Sequence, residues 1–408
     1  MTTASHADGR GVPARLFVIN QVAGPLTLQL LQDLSAAGVE CELLTGFLDA
    51  EEGGSVPFKI VPGRTLAKAP AWKRLWTWLR FTVQAAAAAI RRRRVPMLVV
   101  TNPPWTMLVM PLLKALLGCR YVLLVYDIYP DVLERMGSLR RGGVIAGIWR
   151  RMSRRSLLAA EGVITIGERM AGTLQGHLRP LDSRPVEVMP NWADTDIIRP
   201  RPRSENEFAL RHGLADKFVV MYSGSFGATH DTQSILRAAG MLTDLEDVRI
   251  VLIGGGTRQR EVAGLVAESG LPNVILLPLQ PPGTLPLSLS SAQCAIVSLD
   301  EGYEGVSVPS KTYYALAAGA ALLAVSPPDT ELTDLVARHG CGVHVPPRDP
   351  EQLAQGIRRF HDDPEMLERC RAAARAAAES CYSRRRIVPR YVAYLAARLT
   401  VARRIAET

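Results

Sequence analysis

The sequence lacks the features that mark secreted, membrane-spanning and zinc-binding proteins. Its six cysteines have no CxxC spacing, which argues against a zinc site or a disulfide framework and favours reduced, buried thiols. No apolar run reaches the roughly 20 residues that a membrane-spanning helix needs. The polar N-terminus has no apolar signal core. We therefore expect a protein that works in a reducing cytoplasm.

Familiar nucleotide-binding motifs are also absent. Gly254-Gly255-Gly256 resembles half of the dinucleotide fingerprint GxGxxG, but Gln259 stands where the last glycine belongs. The Walker motif GxxxxGK[ST] does not occur, and neither does a DNA- or RNA-binding motif. These absences argue against a nicotinamide site, a P-loop and a nucleic-acid partner.

The second half of the chain has no excess of positive charge. Residues 201–408 hold 23 Lys and Arg against 23 Asp and Glu, whereas residues 1–200 hold 25 against 16. Basic clusters interleaved with tryptophans favour contact with an anionic membrane, and they also fit solvated helix faces or, for the tryptophans, packing on a sheet. The clusters are Lys68, Trp72-Lys73-Arg74, Trp76, Trp78 and Arg80, then Arg91–Arg94, Arg140-Arg141, Arg150-Arg151 and Arg154-Arg155.

The order of predicted elements indicates two α/β domains. A chain of 408 residues exceeds what one hydrophobic core usually organises. Strands alternate with helices over residues 15–189 and again over residues 218–380, a pattern typical of doubly wound parallel sheets. We expect an N-terminal Rossmann-like domain at residues 1–195 and a second one at residues 206–380. A helical tail, residues 381–408, is expected to pack back toward the first domain.

One strand, loop, helix, strand unit gathers polar groups that suit a phosphate. Strand Cys294–Leu299 leads into an acidic loop, and the next helix carries Ser310 and Lys311 in its first turn and stops at Gly319. Backbone N–H groups at a helix start lack intrahelical partners and attract anions. We therefore predict a phosphate site there, with Glu301 and Glu304 as candidates to bond sugar hydroxyls or as solvated loop charges.

Two further stretches follow predicted strands. Ser223-Gly224-Ser225-Phe226-Gly227 leaves a strand that ends at Tyr222, and it can present amides to a phosphate or serve only as a tight turn. Asp127 and Asp131 follow the strongest strand of the first domain. A carboxylate at that edge can position an attacking hydroxyl or accept its proton, or it can cap a helix.

Together these segments resemble the retaining glycosyltransferases of family 4, which have the GT-B fold of two Rossmann-like domains facing across a cleft. The likeness covers nearly the whole chain and is strongest to bacterial enzymes that build capsule, O-antigen and exopolysaccharide. It rests on the joint order of Gly24-Pro25, Tyr-Ser-Gly-Ser-Phe-Gly from Tyr222, Leu-Ile-Gly-Gly-Gly from Leu252, and Val308-Pro309-Ser310-Lys311-x-Tyr313 before Ala317-Ala318-Gly319.

The resemblance implies roles for individual residues. The second domain would bind the nucleotide-sugar, with Lys311 neutralising the departing diphosphate, and the first domain would bind the acceptor, with Asp127 positioning it. No metal and no cofactor are implied. The donor-binding residues implied are Gly24, Ser223, Gly224, Ser225, Gly227, Gly254, Glu304, Ser307, Ser310 and Tyr314.

Two departures from the family pattern concern charge around the donor. Many members carry two glutamates before the Ala-Gly pair, the second of which bonds the ribose; here these positions are Val306 and Tyr314. Many members also carry an arginine and a lysine after the glycine turn, where this chain has Ala228 to Gln233. The positive charge on the phosphates therefore depends more heavily on Lys311.

Three functions fit the sequence. The first is a transferase that moves a sugar from a nucleoside-diphosphate sugar, with UDP as the expected nucleotide, to a lipid-linked glycan at the inner face of the plasma membrane. The second is a UDP-sugar 2-epimerase of the same fold. The third is a non-catalytic relative that binds a partner protein, which Val306 and Tyr314 would allow.

Overall fold

The computed structural model describes residues 13–48, 55–67, 70–179, 181–227 and 231–400. Several predictions concern residues outside these ranges, namely the N-terminal segment, Lys68, residues 228–230 and the end of the tail. Contacts divide the chain into two compact units. The first takes in the chain up to Ile166, Met170–Met189 and the chain from Val388; the second takes in Gly167–Arg169 and Pro190–Ile387.

The first unit is built on a parallel sheet of seven strands in the order β5-β3-β1-β6-β7-β8-β9, with β2 and β4 paired separately. Its central strands are continuous apolar runs, as expected for a parallel sheet buried on both faces. The strands are β1 Arg15–Ile19, β2 Val22–Ala23, β3 Glu40–Thr45, β4 Phe47–Leu48, β5 Lys59–Pro62, β6 Met97–Val100, β7 Tyr121–Val125, β8 Gly162–Thr165 and β9 Glu187–Val188.

In the described part of this unit, six helices connect these strands. The first begins with Pro25, whose fixed φ suits a first helical position. The third ends at Gly118, which has a left-handed φ of 67°. The helices are α1 Pro25–Ala36, α2 Ala71–Arg91, α3 Thr106–Leu117, α4 Asp131–Arg135, α5 Val144–Ala159 and α6 Glu168–Leu178. Helix α3 packs against both α2 and α5, so these three form one layer.

The second unit has a six-stranded parallel sheet in the order β12-β11-β10-β13-β14-β15. The strands are β10 Phe218–Ser225, β11 Val248–Gly255, β12 Val274–Pro278, β13 Cys294–Ser298, β14 Ala321–Val325 and β15 Gly342–Val345. The helices that follow α6 are α7 Glu207–Arg211, α8 Thr232–Gly240, α9 Gln259–Ser269, α10 Leu285–Ser290, α11 Lys311–Ala317, α12 Glu331–His339, α13 Pro350–Asp362, α14 Pro364–Cys381 and α15 Arg384–Leu399.

Alternate residues of β10 enter different cores. Val219 and Met221 pack in the cluster that includes residues of α11 and α14, whereas Val220 and Tyr222 pack with residues of α8 and α13. This alternation is the period of a strand covered on both faces. Because both faces of the sheet are covered by apolar residues, polar side chains lie mainly at the carboxyl ends of the strands.

The last helix, α15, belongs to the first unit from Val388 onward. The Arg120 guanidinium donates to the backbone carbonyls of Arg398 and Leu399 at 2.9 and 3.0 Å. Gly162 of β8 packs so closely on Tyr394 that an added Cβ would lie 2.4 Å from the phenol oxygen. These contacts hold the helix against β8 and the start of β7.

Two parallel sheets covered by helices confirm the predicted fold class. Most predicted strands and helices are present with ends within two residues of the observed ones. The pair β2 and β4 and the short helices α4 and α7 were not predicted, because segments of two to five residues carry no periodic pattern. Five cysteines are buried, as predicted, but Cys381 is exposed.

Candidate functional site

A cavity of about 230 Å³ lies inside the second unit, at the carboxyl ends of β10 and β13. Residues of α10 and α11 and Leu279, which follows β12, complete its walls, and most of them are apolar. Open parallel sheets bind ligands at this edge. Five predicted site residues line the cavity: Ser223, Gly224, Ser310, Lys311 and Tyr314.

The glycine turn after β10 begins later than predicted. Strand β10 does not end at Tyr222; it continues to Ser225, and Gly224 pairs with Gly254 of β11. The predicted strand end is wrong because β11 also runs on to Gly255 and supplies a hydrogen-bonding edge. Gly224 has a φ of 151°, which favours glycine, so its backbone faces the cavity without a side chain.

Gly254 lies beside this strand end and does not line the cavity. A Cβ atom built on it would lie 2.3 Å from the carbonyl oxygen of Gly224 and 2.7 Å from the ring of Phe226. Glycine is therefore needed there for close packing of two strand ends. Its predicted contact with the donor stays a prediction.

Lys311 is the first residue of α11, and its amino group is buried. The residue as a whole is only half-buried, but its Nζ atom is shielded from solvent and has no hydrogen-bond partner among the described residues. Burial lowers the pKa of Lys311 to about 7. Helix α11 has only seven residues, so the lysine, rather than the helix dipole, is the main positive group here.

The aromatic ring of Tyr222 lies beneath this amino group. The Nζ atom of Lys311 is 3.9 Å from the ring centroid, within the range of a cation–π contact. The phenol of Tyr222 donates to the carbonyl oxygen of Ser225 at 2.8 Å, and its ring stacks on Phe226. The sequence analysis gave Tyr222 no role in the site. Tyr222 ends the apolar strand predicted there, and nothing local in the sequence indicates that Lys311 is its neighbour.

The acidic loop before α11 is held mainly by contacts within the second unit. Asp300 and Glu301 form ion pairs with Arg348 at 3.1 and 3.7 Å. The carboxylate of Glu304 accepts a hydrogen bond from the backbone N–H of Gly302 at 3.0 Å. Neither Glu304 nor Ser307 lines the cavity. Sequence analysis missed Arg348, whose only signal was a Pro-Pro-Arg-Asp turn 48 residues beyond Asp300.

The two positions that depart from the family pattern differ in their surroundings. Val306 is fully buried, with 0% of its surface exposed, so an apolar side chain suits it. Tyr314 lines the cavity.

Ser225 and Gly227 lie outside the lining, and Ser225 Oγ would be 2.8 Å from a Cβ built on Gly256.

The remaining predicted residues belong to the first unit. Asp127 is half-buried just after β7. Asp131 begins α4 and forms ion pairs with Arg150 at 3.5 Å and, when the imidazole is protonated, with His177 at 3.6 Å. Gly24 precedes α1 with a φ of −88°, and a Cβ there would meet no atom of the described residues within 4 Å. Contacts among those residues therefore do not require glycine at position 24.

Helices α2, α3 and α5 of the first unit carry exposed apolar side chains, and Arg80 of α2 and Arg151 of α5 are exposed basic residues. Trp72 and Trp76 are 64% and 54% exposed, so the alternative that they pack on the sheet is wrong. Trp78 is buried instead, edge-on to Trp105 at 5.8 Å between ring centroids. We call this surface the basic-apolar face; its exposed apolar members are Trp72, Trp76, Leu79, Val83, Leu112, Leu116, Val144, Ile145 and Ile148.

A groove of about 720 Å³ adjoins this face, between α2 and the segment after β5. Trp76, Leu79 and Val83 line it together with Arg64 and Arg80. Within the described ranges, neither arginine has a carboxylate within ion-pair distance. The groove thus combines an apolar wall with two cationic side chains.

Neither a membrane-spanning helix nor a cluster of metal ligands occurs in the part of the chain that the structure describes. No helix in that part is long and apolar enough to cross a membrane. No three His, Cys, Asp or Glu side chains in the described ranges lie close enough together to hold a metal ion. Independence from metal and from cofactors stays a prediction.

Two family models cover most of the chain. The model described as glycosyl transferases group 1 matches residues 205–377, and the model described as a glycosyl transferase 4-like domain matches residues 23–192. Residues 193–204 separate the two matches.

Individual relatives agree with these matches. A protein of Pseudomonas aeruginosa described as the probable glycosyltransferase WbjE is 26% identical over 366 residues, which are 84% of this chain and 88% of that protein. The putative colanic acid biosynthesis glycosyl transferase WcaI of Escherichia coli K12 is 26% identical over 69% of each chain. The solved structure of Anabaena HepE in complex with UDP-glucose has a TM-score of 0.71 at 13% identity, over 94% of this chain and 99% of that one.

Proposed function

We propose that this chain, which belongs to glycosyltransferase family 4 and has the GT-B fold, transfers a sugar from a UDP-sugar to a lipid-linked glycan in bacterial surface-polysaccharide synthesis. The family and the transferase class are the premise, and the donor and acceptor are the proposal. The observation that carries it is the buried Lys311 amino group in a cavity where no described lining residue is a carboxylate.

Lys311 supplies the charge that a departing diphosphate needs. In the proposed reaction the bond between the sugar's anomeric carbon and the diphosphate breaks. The acceptor hydroxyl oxygen bonds to that carbon on the same face, and the diphosphate accepts the hydroxyl proton. An ammonium held in an apolar cavity stabilises the developing negative charge more than one in water. Asp127 is assigned the positioning of the acceptor hydroxyl.

The nucleotide is proposed to be UDP. HepE, which has the same fold, is described in complex with UDP-glucose, and that supports the choice without deciding it. The mostly apolar walls of the cavity suit a base and a ribose, and Tyr314 is the residue we assign to the ribose hydroxyls. We further propose that neither a metal nor a cofactor takes part.

The acceptor is proposed to be reached at an anionic membrane surface. The basic-apolar face offers exposed tryptophans and aliphatic side chains beside arginines, the combination that binds a headgroup region. The adjoining groove, with Arg64 and Arg80, adds two cations to the same region. A peripheral position on the inner face of the plasma membrane follows from this proposal.

The alternatives gain less support. The matched models and both curated relatives are described as glycosyltransferases, and none as an epimerase. Burying a lysine amino group in an apolar cavity is unfavourable, because the group loses its contact with water. A non-catalytic relative that only binds a partner protein would gain nothing from this burial. Transfer is therefore the function that the site supports best.

The donor side is tested with Lys311→Ala. The variant should lose at least 100-fold in turnover, the order of effect seen when one transition-state charge stabiliser is removed. Lys217→Ala, at a half-buried lysine that pairs with the exposed Asp216 of the same unit and does not line the cavity, is the matched control and should keep the wild-type rate. Release of UDP from UDP-sugars is the readout. A Lys311→Ala variant with wild-type turnover would contradict the assignment.

The membrane side is tested by co-sedimentation with vesicles. Arg64→Gln with Arg80→Gln should reduce binding to vesicles containing anionic lipid, by about 1 kcal/mol for each charge removed near the surface. Arg358→Gln with Arg369→Gln removes equal charge from helices of the second unit and serves as the control. Equal losses in both double variants, or no wild-type binding at low salt, would overturn the proposed membrane contact.

A further inference from the structure

The pair formed by Tyr222 and Lys311 has consequences beyond the presence of a positive charge. The ring of Tyr222 is fully buried, and burial raises the pKa of its phenol, so the ring stays neutral. Its position is fixed by the hydrogen bond to Ser225 O and by stacking on Phe226. The Lys311 amino group therefore lies over a rigid aromatic face.

The surroundings of Lys311 are otherwise nearly free of charge. Tyr222 and Ser223 face it from β10, and Ser310 and Tyr314 are its polar neighbours at α11. From α10 and β13 the cavity lining is apolar except for backbone: Leu285, Leu289, Ala295, Ile296 and Val297. Among the described residues that line the cavity there is no carboxylate and no second cation. Within that part of the chain, an ammonium at this position has no anionic partner.

The backbone of the strand end faces the same amino group. A Cβ built on Gly224 would lie 3.7 Å from Lys311 Nζ, which is ordinary van der Waals contact. A diphosphate placed against this glycine would thus be next to the lysine. This step rests on the proposed function, in which the donor's diphosphate binds here.

We propose that the ring of Tyr222 positions Lys311 for the diphosphate, and that Lys311 takes up one proton from solvent when the donor binds. The proton bonds to the lone pair of a neutral Nζ, and no other bond changes. In the empty site, burial lowers the pKa of Lys311 to about 7; a bound diphosphate raises it again. Donor affinity should therefore be constant below about pH 6.5 and fall as pH rises through 7, approaching tenfold per pH unit.

The experiment is calorimetric titration of the full chain with UDP-glucose between pH 6 and 8.5. The diphosphate of this probe keeps its full charge over that range, so any linked proton comes from the protein. At pH 8, heats in two buffers with different ionisation enthalpies should report uptake of most of one proton. Lys311→Met, which places an apolar side chain in an apolar cavity, should bind more weakly and take up none.

Variants of Tyr222 separate positioning from a structural role. Tyr222→Phe keeps the ring and should keep the wild-type pH profile. Tyr222→Leu should move the midpoint of the profile to lower pH and weaken binding at pH 6.5 roughly fivefold or more. A Tyr222→Leu variant weakened equally at every pH would overturn the positioning role.

The outcomes for the wild type are distinct. Binding with proton uptake that Lys311→Met abolishes supports the inference. Binding of UDP-glucose without proton uptake overturns it and leaves the proposed function standing. No binding of UDP-glucose or of any other nucleoside-diphosphate sugar overturns both.

Discussion

At Gly254, one added methyl group would disturb the packing of the strand end that carries Gly224, a residue of the cavity lining. In Gly254→Ala the new Cβ would lie 2.3 Å from the backbone oxygen of Gly224, closer than real Cβ atoms come to any neighbour. That oxygen belongs to a strand paired along its length with β11, so it cannot move as a flexible side chain would. Either the two strand ends separate or the ring of Phe226 shifts.

The expected cost is that of overpacking a well-packed interior, about 1–3 kcal/mol. For a unit of this size, 2 kcal/mol corresponds to a fall in melting temperature of about 4–8 °C. Circular dichroism gives the melting curve, and hydrogen exchange at the amides of β10 and β11 shows where the loss lies. Because Gly224 would have to move and lies beside Lys311 in the cavity, affinity for UDP should also fall.

A matched control is available in the same unit. Gly264 lies inside α9, and a Cβ there would meet no atom within 4 Å. Gly264→Ala should therefore stabilise the protein by about 0.5–1 kcal/mol, the difference between glycine and alanine in a helix. If Gly254→Ala were as stable as wild type, the close packing of the two strand ends would be refuted.

Two further predictions concern single polar groups. Arg92 donates two hydrogen bonds to the carboxylate of Glu42, at 2.8 and 2.9 Å; burial acts to raise the pKa of Glu42, but Arg92, with Lys59 and Arg15, lowers it. Arg92→Gln should cost about 1–3 kcal/mol of unfolding free energy above the ordinary glutamate pKa of about 4.3. This cost should shrink as pH falls through the lowered pKa of Glu42. Urea unfolding from pH 7 to the most acidic pH at which the wild type stays folded checks this, and a cost that stays constant over that range would contradict it. Tyr314→Phe should weaken affinity for UDP-sugars about 2–10-fold if the hydroxyl bonds the ribose, whereas Tyr382→Phe, whose hydroxyl lies 3.1 Å from His339, should not change it.

The fold was predictable because most of its strands and helices have a hydrophobic pattern that can be recognised in the local sequence. Continuous apolar strands such as Phe218–Tyr222 alternate with amphipathic helices, and glycine and proline mark their ends. The end of β10 was placed three residues early because Ser223 and Gly224 have low strand propensity, and only pairing with β11 keeps them in the sheet.

The lining of the candidate cavity was predictable where its residues cluster in a short segment that follows a strand. Ser310, Lys311 and Tyr314 lie in one such segment, and Ser223 and Gly224 lie in another. The contact between Lys311 and Tyr222 joins residues 89 positions apart on different elements, and the pairing of Asp300 with Arg348 spans 48 positions. Such contacts depend on the tertiary fold, and no local pattern in the sequence reports them.

The most direct test of the central claim is a screen of nucleoside-diphosphate sugars for sugar transfer, with and without a lipid-linked glycan acceptor. Release of nucleoside diphosphate and the product's mass are measured for the wild type and for Lys311→Ala. We predict acceptor-dependent release of UDP and a glycan heavier by one sugar, both lost in the variant. Release with no acceptor, conversion of UDP-GlcNAc to its 2-epimer, or no turnover with any sugar nucleotide would contradict this account.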